Sequence, residues 1–203
     1  MPWSEGYTSD DILLDNYDMF EGMNVVVTEK MDGENTTMTF DKVHARSPDS
    51  KRHPSRDMVK TMWSQIRNDI PEGMRICGEN LYAKHSIPYD ELPSYFLVFA
   101  IFDGSRSLSW SETVEWCHLF GFKHVPVLYS GPWEKTKIMQ CYTGQSKCGG
   151  LQEGYVVRNA GSFSYSAFSK NIAKFVRKGH VPEGGEHWMM KKLIPNKVVS
   201  VVD

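Results

Sequence analysis

No run of apolar residues in this 203-residue chain is long enough to span a bilayer. The opening Met1-Pro2-Trp3-Ser4-Glu5 also lacks the basic-then-apolar order of a secretory leader. Both absences predict a cytoplasmic protein with no membrane partner. Cysteine is scarce, and the four present (Cys77, Cys117, Cys141, Cys148) include no Cys-x-x-Cys pair. Cys141 and Cys148 with His118 or His124 lack zinc-ligand spacing, so all four read as buried free thiols. An excess of either charge is missing too: 23 Lys and Arg against 25 Asp and Glu leave a formal net charge of −2. Any surface that attracts nucleic acid must therefore be local. Basic residues do gather, at Lys51-Arg52-His53 with Arg56, from Lys170 to Lys178, and at Lys191-Lys192. Each cluster reads first as a solvated face.

What is present is enough for a core. At 40% hydrophobic and 12% aromatic residues the chain is a folded globule, sized for one domain, or one domain with a small appendage. No regular repeat appears. Short runs rich in Val, Ile, Phe or Tyr predict strands over 23–28, 36–40, 43–46, 75–81, 95–102, 124–129, 154–158 and 173–177. Met58, Val59, Met62, Trp63, Ile66 and Ile70 recur at helical spacing, with Ser55 as N-cap. A capping box, Ser109-Trp110-Ser111-Glu112, opens a second helix that closes at Gly121. A third is expected over 133–142, followed by a polar loop over 143–150. Pro182-Glu183-Gly184-Gly185 breaks the pattern, dividing a body over 1–181 from a tail over 182–203 that reads as a docked helix or the stub of a further domain. Short strands among a few helices predict an α+β fold of mainly antiparallel sheets.

The chemistry is concentrated in Val25-Val26-Val27-Thr28-Glu29-Lys30-Met31-Asp32-Gly33. In extended backbone Lys30 and Asp32 point to one face and share a pocket, and Gly33 permits a turn or a close approach. A lysine delivered by a buried strand sheds its proton more readily than a solvated one and becomes a nucleophile. The same tetrapeptide also suits a plain hairpin turn with lysine in solvent.

Other segments bear on that choice. Val43-His44-Ala45-Arg46 ends a strand with an arginine whose planar fork suits phosphate or sugar oxygens. In Arg75-Ile76-Cys77-Gly78-Glu79, Glu79 is a carboxylate within a strand pattern and needs a partner. The most continuous apolar run, Tyr95 to Phe102, is a central strand whose Phe99 can offer a ring face to a nucleobase, or simply fill core. Glu153-Gly154-Tyr155-Val156-Val157-Arg158 and Lys170 to Lys178 follow; on a strand Lys174, Val176 and Lys178 share a face. A basic edge strand that resists aggregation is the plain alternative there.

In order and spacing these segments resemble the covalent nucleotidyltransferases, the ATP-dependent polynucleotide ligases and messenger-RNA capping enzymes. The RNA ligase branch first described from phage is the nearest match. The resemblance covers Val25 to Arg177, with Lys30-Met31-Asp32-Gly33 as the nucleophile motif and Glu153-Gly154-Tyr155-Val156-Val157 as the acidic motif. It implies the nucleotidyltransferase fold, the ATP-grasp-like adenylation fold of DNA and RNA ligases, with antiparallel sheets flanked by helices around a nucleotide pocket. It also implies roles. Lys30 takes AMP from ATP, with Asp32 beside it. Arg46 and Glu79 hold the ribose, Phe99 stacks on adenine, and Glu29 offers backbone contacts. Glu153 binds Mg²⁺ or Mn²⁺, and Lys174 meets the α-phosphate. The family's last motif is commonly Lys-x-Lys, whereas this chain reads Lys174-Phe175-Val176-Arg177, leaving Lys178 or Arg177 as the second cation. The expected function is ATP-dependent joining of RNA 3′-hydroxyl and 5′-phosphate ends, with a separate RNA-binding domain or end-healing enzyme as partner. A GTP-dependent capping guanylyltransferase, a DNA nick ligase and a non-catalytic nucleotide- or RNA-binding module are the alternatives.

Overall fold

The computed structural model describes residues 1–6, 14, 16–46, 52–179 and 192–199. Within them the chain forms eleven strands and three α-helices. The first half runs β1 Asn24–Lys30, β2 Glu34–Met38, β3 Val43–Ala45, α1 Asp57–Ile66, β4 Met74–Asn80, β5 Phe96–Asp103 and β6 Arg106–Ser107. It continues with α2 Trp110–Phe120, β7 Lys123–His124, β8 Val127–Pro132, α3 Lys135–Gln140, β9 Gly154–Asn159, β10 Phe163–Ser164 and β11 Ile172–Val176.

The strands form two sheets. The smaller has the order β11-β9-β1-β8 and is antiparallel throughout. The larger runs β10-β6-β5-β4-β2-β3, also antiparallel, with β7 parallel alongside β5. One face of each sheet is covered. Met38, Ile76, Val98 and Ile101 of the larger sheet pack with Val59 of α1 and Cys117 of α2. Val25, Val27, Tyr155, Val157, Ala173 and Phe175 of the smaller sheet pack with Ile138 of α3. The alternate residues of these strands point to the opposite faces, and those faces build the site.

The α+β antiparallel architecture is as expected, and several details differ. β1 runs on to Lys30, and β2 belongs to the other sheet, so Met31-Asp32-Gly33 crosses between sheets and is no hairpin turn. The expected strand over 124–129 breaks at Val125-Pro126 into β7 and β8, since proline has no N–H for a ladder. Ser55 does not cap α1: a 3₁₀ turn, Pro54–Arg56, precedes the helix, and the His53 side chain accepts the Ser55 amide. Met58 is exposed, not core. The capping box of α2 forms as read, with Gly121 closing the helix. Residues 180–191, with Trp188, Met189 and Met190, and the basic Lys51 and Lys191 lie outside the described residues. Residues 192–199 are extended and hydrogen-bond along 82–92 through Asn196, Lys197 and Val199. Among the described residues no helix is long and apolar enough to cross a membrane. The four cysteines are buried free thiols.

Candidate active site

The register of the smaller sheet assembles half of the site. Lys30 stands opposite Gly154, Thr28 opposite Val156, and Val26 opposite Arg158. On the far side of β9, Lys174 is opposite Val156. Directly opposed residues share a face, so Lys30, Thr28, Val156, Arg158 and Lys174 occupy the face left open by the helices. At Gly154 the backbones of β9 and β11 approach closely: a Cβ there would lie 2.0 Å from the Phe175 carbonyl oxygen. Glu153, one residue before that pair, arrives beside Lys30 and accepts a hydrogen bond from its Nζ.

The larger sheet supplies the opposite wall. Arg75, Cys77 and Glu79 alternate along β4 on the face that carries Ala100 and Phe102 of β5. Ala45 pairs with Thr36, and Glu79 with Asn35. Arg46 follows Ala45 and so lies in the row of Asn35 and Glu79, exposed to solvent. The crossing loop joins the walls, and Gly33 makes that join close: a Cβ there would sit 2.6 Å from the Asn80 carbonyl oxygen and 2.9 Å from Glu79 Cγ.

Phe99 owes its place to an irregularity. The β4–β5 register slips between Cys77, opposite Ala100, and Gly78, opposite Val98, so Phe99 is the extra residue of a β-bulge. Bulges re-aim side chains and leave their extra residue outside the ladder. Here Arg158 Nη1 from the other sheet donates to the Phe99 carbonyl, and the Arg158 guanidinium lies 5.2 Å from the centroid of the Trp110 ring. Arg158 is 7% exposed, and burial pulls its guanidinium down to about 10. Two buried atoms on this face, Thr28 Oγ1 and Arg158 Nε, have no hydrogen-bond partner among the described residues.

The electrostatics correct one expectation. Burial pushes the Lys30 ammonium down, but the bonded Glu153 carboxylate, with weaker pulls from Glu79 and Asp32, outweighs it and holds the amine above the usual lysine value. Glu79 behaves oppositely: burial between the sheets raises its carboxyl to about 8 against the pull of Lys30, with Glu153 and Asp32 adding repulsion.

Other residues stand apart from their expected roles. Asp32 lies past the end of β1, and its carboxylate accepts from the Ser86 amide at 2.8 Å, the Ser86 hydroxyl at 2.7 Å and the Ile87 amide at 2.7 Å. It anchors the loop, and its charge is felt at Lys30. Glu29 turns to the opposite face of β1. Its amide donates to the Pro126 carbonyl at 2.8 Å and its carboxylate accepts from the Lys147 amide at 2.9 Å, so that amide is engaged within the protein. Lys178 is exposed in a turn beyond β11. Arg56, read as part of a solvated cluster, is buried and bonds both Glu34 carboxylate oxygens, at 2.7 and 2.5 Å.

Val156, Thr28 and Arg158 are the site residues that the sequence reading missed. Counting twos from Lys30 along β1 finds Thr28, but Val156 and Arg158 need the β1–β9 register. For a divalent cation, Glu153 and Glu79 offer hard oxygen donors, and among the described residues no group of three His, Cys, Asp or Glu side chains could hold a metal. That fits an ion held by one or two carboxylates, with phosphate and water completing its shell.

A family model described as RNA ligase matches residues 23–176. No curated protein matches the sequence. Solved structures do match its fold. A mutant Naegleria gruberi RNA ligase with ATP and Mn superposes with a TM-score of 0.56 at 18% identity, over 79% of this chain and 52% of that one. An archaeal ATP-dependent RNA ligase gives 0.54 at 16%, over 80% and 45%. A protein of Aquifex aeolicus provisionally named an ATP-dependent DNA ligase gives 0.53 at 21%, over 79% and 46%. The chain thus spans about half the length of these structures, and the likeness shows a shared fold.

Proposed function

The chain belongs to the RNA ligase family, and on that premise we propose that it joins RNA ends through a covalent lysyl-AMP at Lys30. The observation that carries this is the meeting of Lys30, Glu153 and Glu79 between two sheets.

In the first step the Lys30 amine attacks the α-phosphorus of ATP. An N–P bond forms, the bond to pyrophosphate breaks, and pyrophosphate leaves with the electron pair. Before the attack Lys30 passes its proton to water by way of the Glu153 carboxylate bonded to it, which leaves that carboxylate ionised for the cation. Phe99 and Val156 bracket the base, and the Thr28 hydroxyl and Arg158 Nε–H supply polar groups for its edge. Arg46 and Glu79, in one row of the larger sheet, hold the ribose. Lys174 faces the phosphates. Glu153 would hold Mg²⁺ or Mn²⁺, which supplies charge neutralisation at the phosphates. The AMP then passes to an RNA 5′-phosphate, and attack by a 3′-hydroxyl seals the strand and releases AMP. The body over 1–181 is the adenylating unit, working with an RNA-binding domain or end-healing enzyme.

Incubating the protein with a divalent cation and α-labelled ATP or GTP, beside Lys30→Ala, tests the first step. We expect label from ATP that survives denaturation and is absent from the mutant. Label from GTP instead moves the reading to capping, and joining of nicked DNA in preference to RNA moves it to a DNA ligase. Folded protein that takes no label leaves a binding module.

A further inference from the structure

Beyond the nucleotide pocket, the site face of the larger sheet continues into a second surface. Cys77, Ala100 and Phe102 form a buried cluster against Phe99. The Phe102 ring meets Tyr165 edge-on at 5.7 Å, and Tyr165 lies 5.7 Å from Phe168. Phe102 is buried, but Tyr165 is 53% and Phe168 40% exposed. Both are carried by the 3₁₀ turn Tyr165–Lys170, which leads into β11 and Lys174. Phe163 adds a further ring at 6.5 Å from Phe168.

Arg75 sits among these rings. It is on the β4 face that carries Glu79, four residues away, or about 13 Å of extended strand. Its guanidinium lies 4.7 Å from the Phe102 centroid and 5.5 Å from that of Tyr165. Among the described residues no carboxylate pairs with it, and its one hydrogen bond, to the Gly104 carbonyl, is long at 3.5 Å. A guanidinium steadied by rings keeps its N–H edge available for a phosphate fork. Arg106 nearby is already paired with Glu112.

We propose that Tyr165, Phe168 and Arg75 form the docking surface for single-stranded RNA at the end to be joined, the bases stacking on the two rings and a backbone phosphate on Arg75. The occupant follows from the combination: exposed rings take any base by its π-face, and an adjacent unpaired arginine takes the phosphate. Continuity through Phe102 and Cys77 to Phe99 brings that strand to the nucleotide. The assignment rests on the ligase reading above, and its test separates the two.

The full chain is titrated into a fluorescent single-stranded RNA of about ten nucleotides with a 5′-phosphate, with anisotropy as the readout. Each variant is also scored for label taken from α-labelled ATP. Tyr165→Ala/Phe168→Ala is expected to weaken RNA binding by about thirtyfold or more while self-labelling stays at the wild-type rate. Tyr165→Trp/Phe168→Trp, which keeps the stacking faces, is expected to retain affinity. Arg75→Ala is expected to lower the salt dependence of binding by about 0.7 in log–log slope. Unchanged RNA affinity in the double alanine variant overturns the proposal, as does a loss that also appears in the double tryptophan variant. Wild-type protein that binds RNA through these rings but takes no label keeps this surface and sinks the ligase chemistry instead.

Discussion

At the scale of single residues the site is a balance among one amine and its carboxylates. Glu153 keeps Lys30 charged in the free protein, a resting state that protects a nucleophile until a cation and a triphosphate compete for that carboxylate. Glu79 takes the other part. With its carboxyl raised from 4.5 to about 8, it is largely protonated at neutral pH. Between those values the folded chain holds a proton that the unfolded chain has lost, so stability falls as pH rises through the window. Lys30, raised above its ordinary value, contributes stability that is lost only at higher pH. Glu79→Gln, neutral at every pH, should melt with the wild type near pH 5. Near pH 9 it should melt several degrees higher, while failing to take label at the wild-type rate. Melting curves for both proteins across that range decide it, and a constant difference in Tm would contradict the raised carboxyl.

At the scale of elements the site depends on one bulge and one register. The bulge places Phe99, and Arg158 reaches across from β9 to hold its carbonyl. Arg158→Met removes a buried cation, which is often neutral or stabilising for the fold, but it also releases that carbonyl. We expect the apparent affinity for ATP in the labelling reaction to fall roughly fivefold to tenfold, with Tm moving by no more than about 3 °C. Loss of Tm without loss of ATP affinity would make Arg158 a packing residue only. These two features also mark how far the sequence was legible. Lys30, Glu79 and Glu153 stand out as polar residues within or beside apolar strand runs, and the α2 capping box needs only local contacts, so each could be read in place. Asp32 could not, because its partners Ser86 and Ile87 are far along the chain and the extended backbone that would align it with Lys30 ends at Lys30. Arg158 and Val156 reach the pocket through a register that no window of sequence contains. Arg56 looked solvated because its partner, Glu34, lies 22 residues away across a fold not yet formed.

At the scale of the whole molecule the nucleophile is secured from the far end of the chain. Asn196 is buried; its amide nitrogen donates to the Leu81 carbonyl at 2.8 Å and its carbonyl oxygen accepts the Tyr89 amide at 2.9 Å. The Lys197 amide donates to the Tyr89 carbonyl at 3.0 Å. The segment so clamped also contains Ser86 and Ile87, which hold Asp32, and Tyr89, whose hydroxyl accepts the Asp32 amide at 2.9 Å. A path of hydrogen bonds therefore runs from Asn196 through 81–89 to Asp32, two residues from Lys30. Asn196→Ala leaves two buried backbone groups without partners, at a cost of about 1–3 kcal/mol each before relaxation. Tm should fall by several degrees. Because the weakened part is the support of the crossing loop, the labelling rate at saturating ATP should drop well below the wild type at temperatures where the variant is still fully folded. A variant that melts early yet labels at the full rate would show that 192–199 stabilises the body without positioning Lys30.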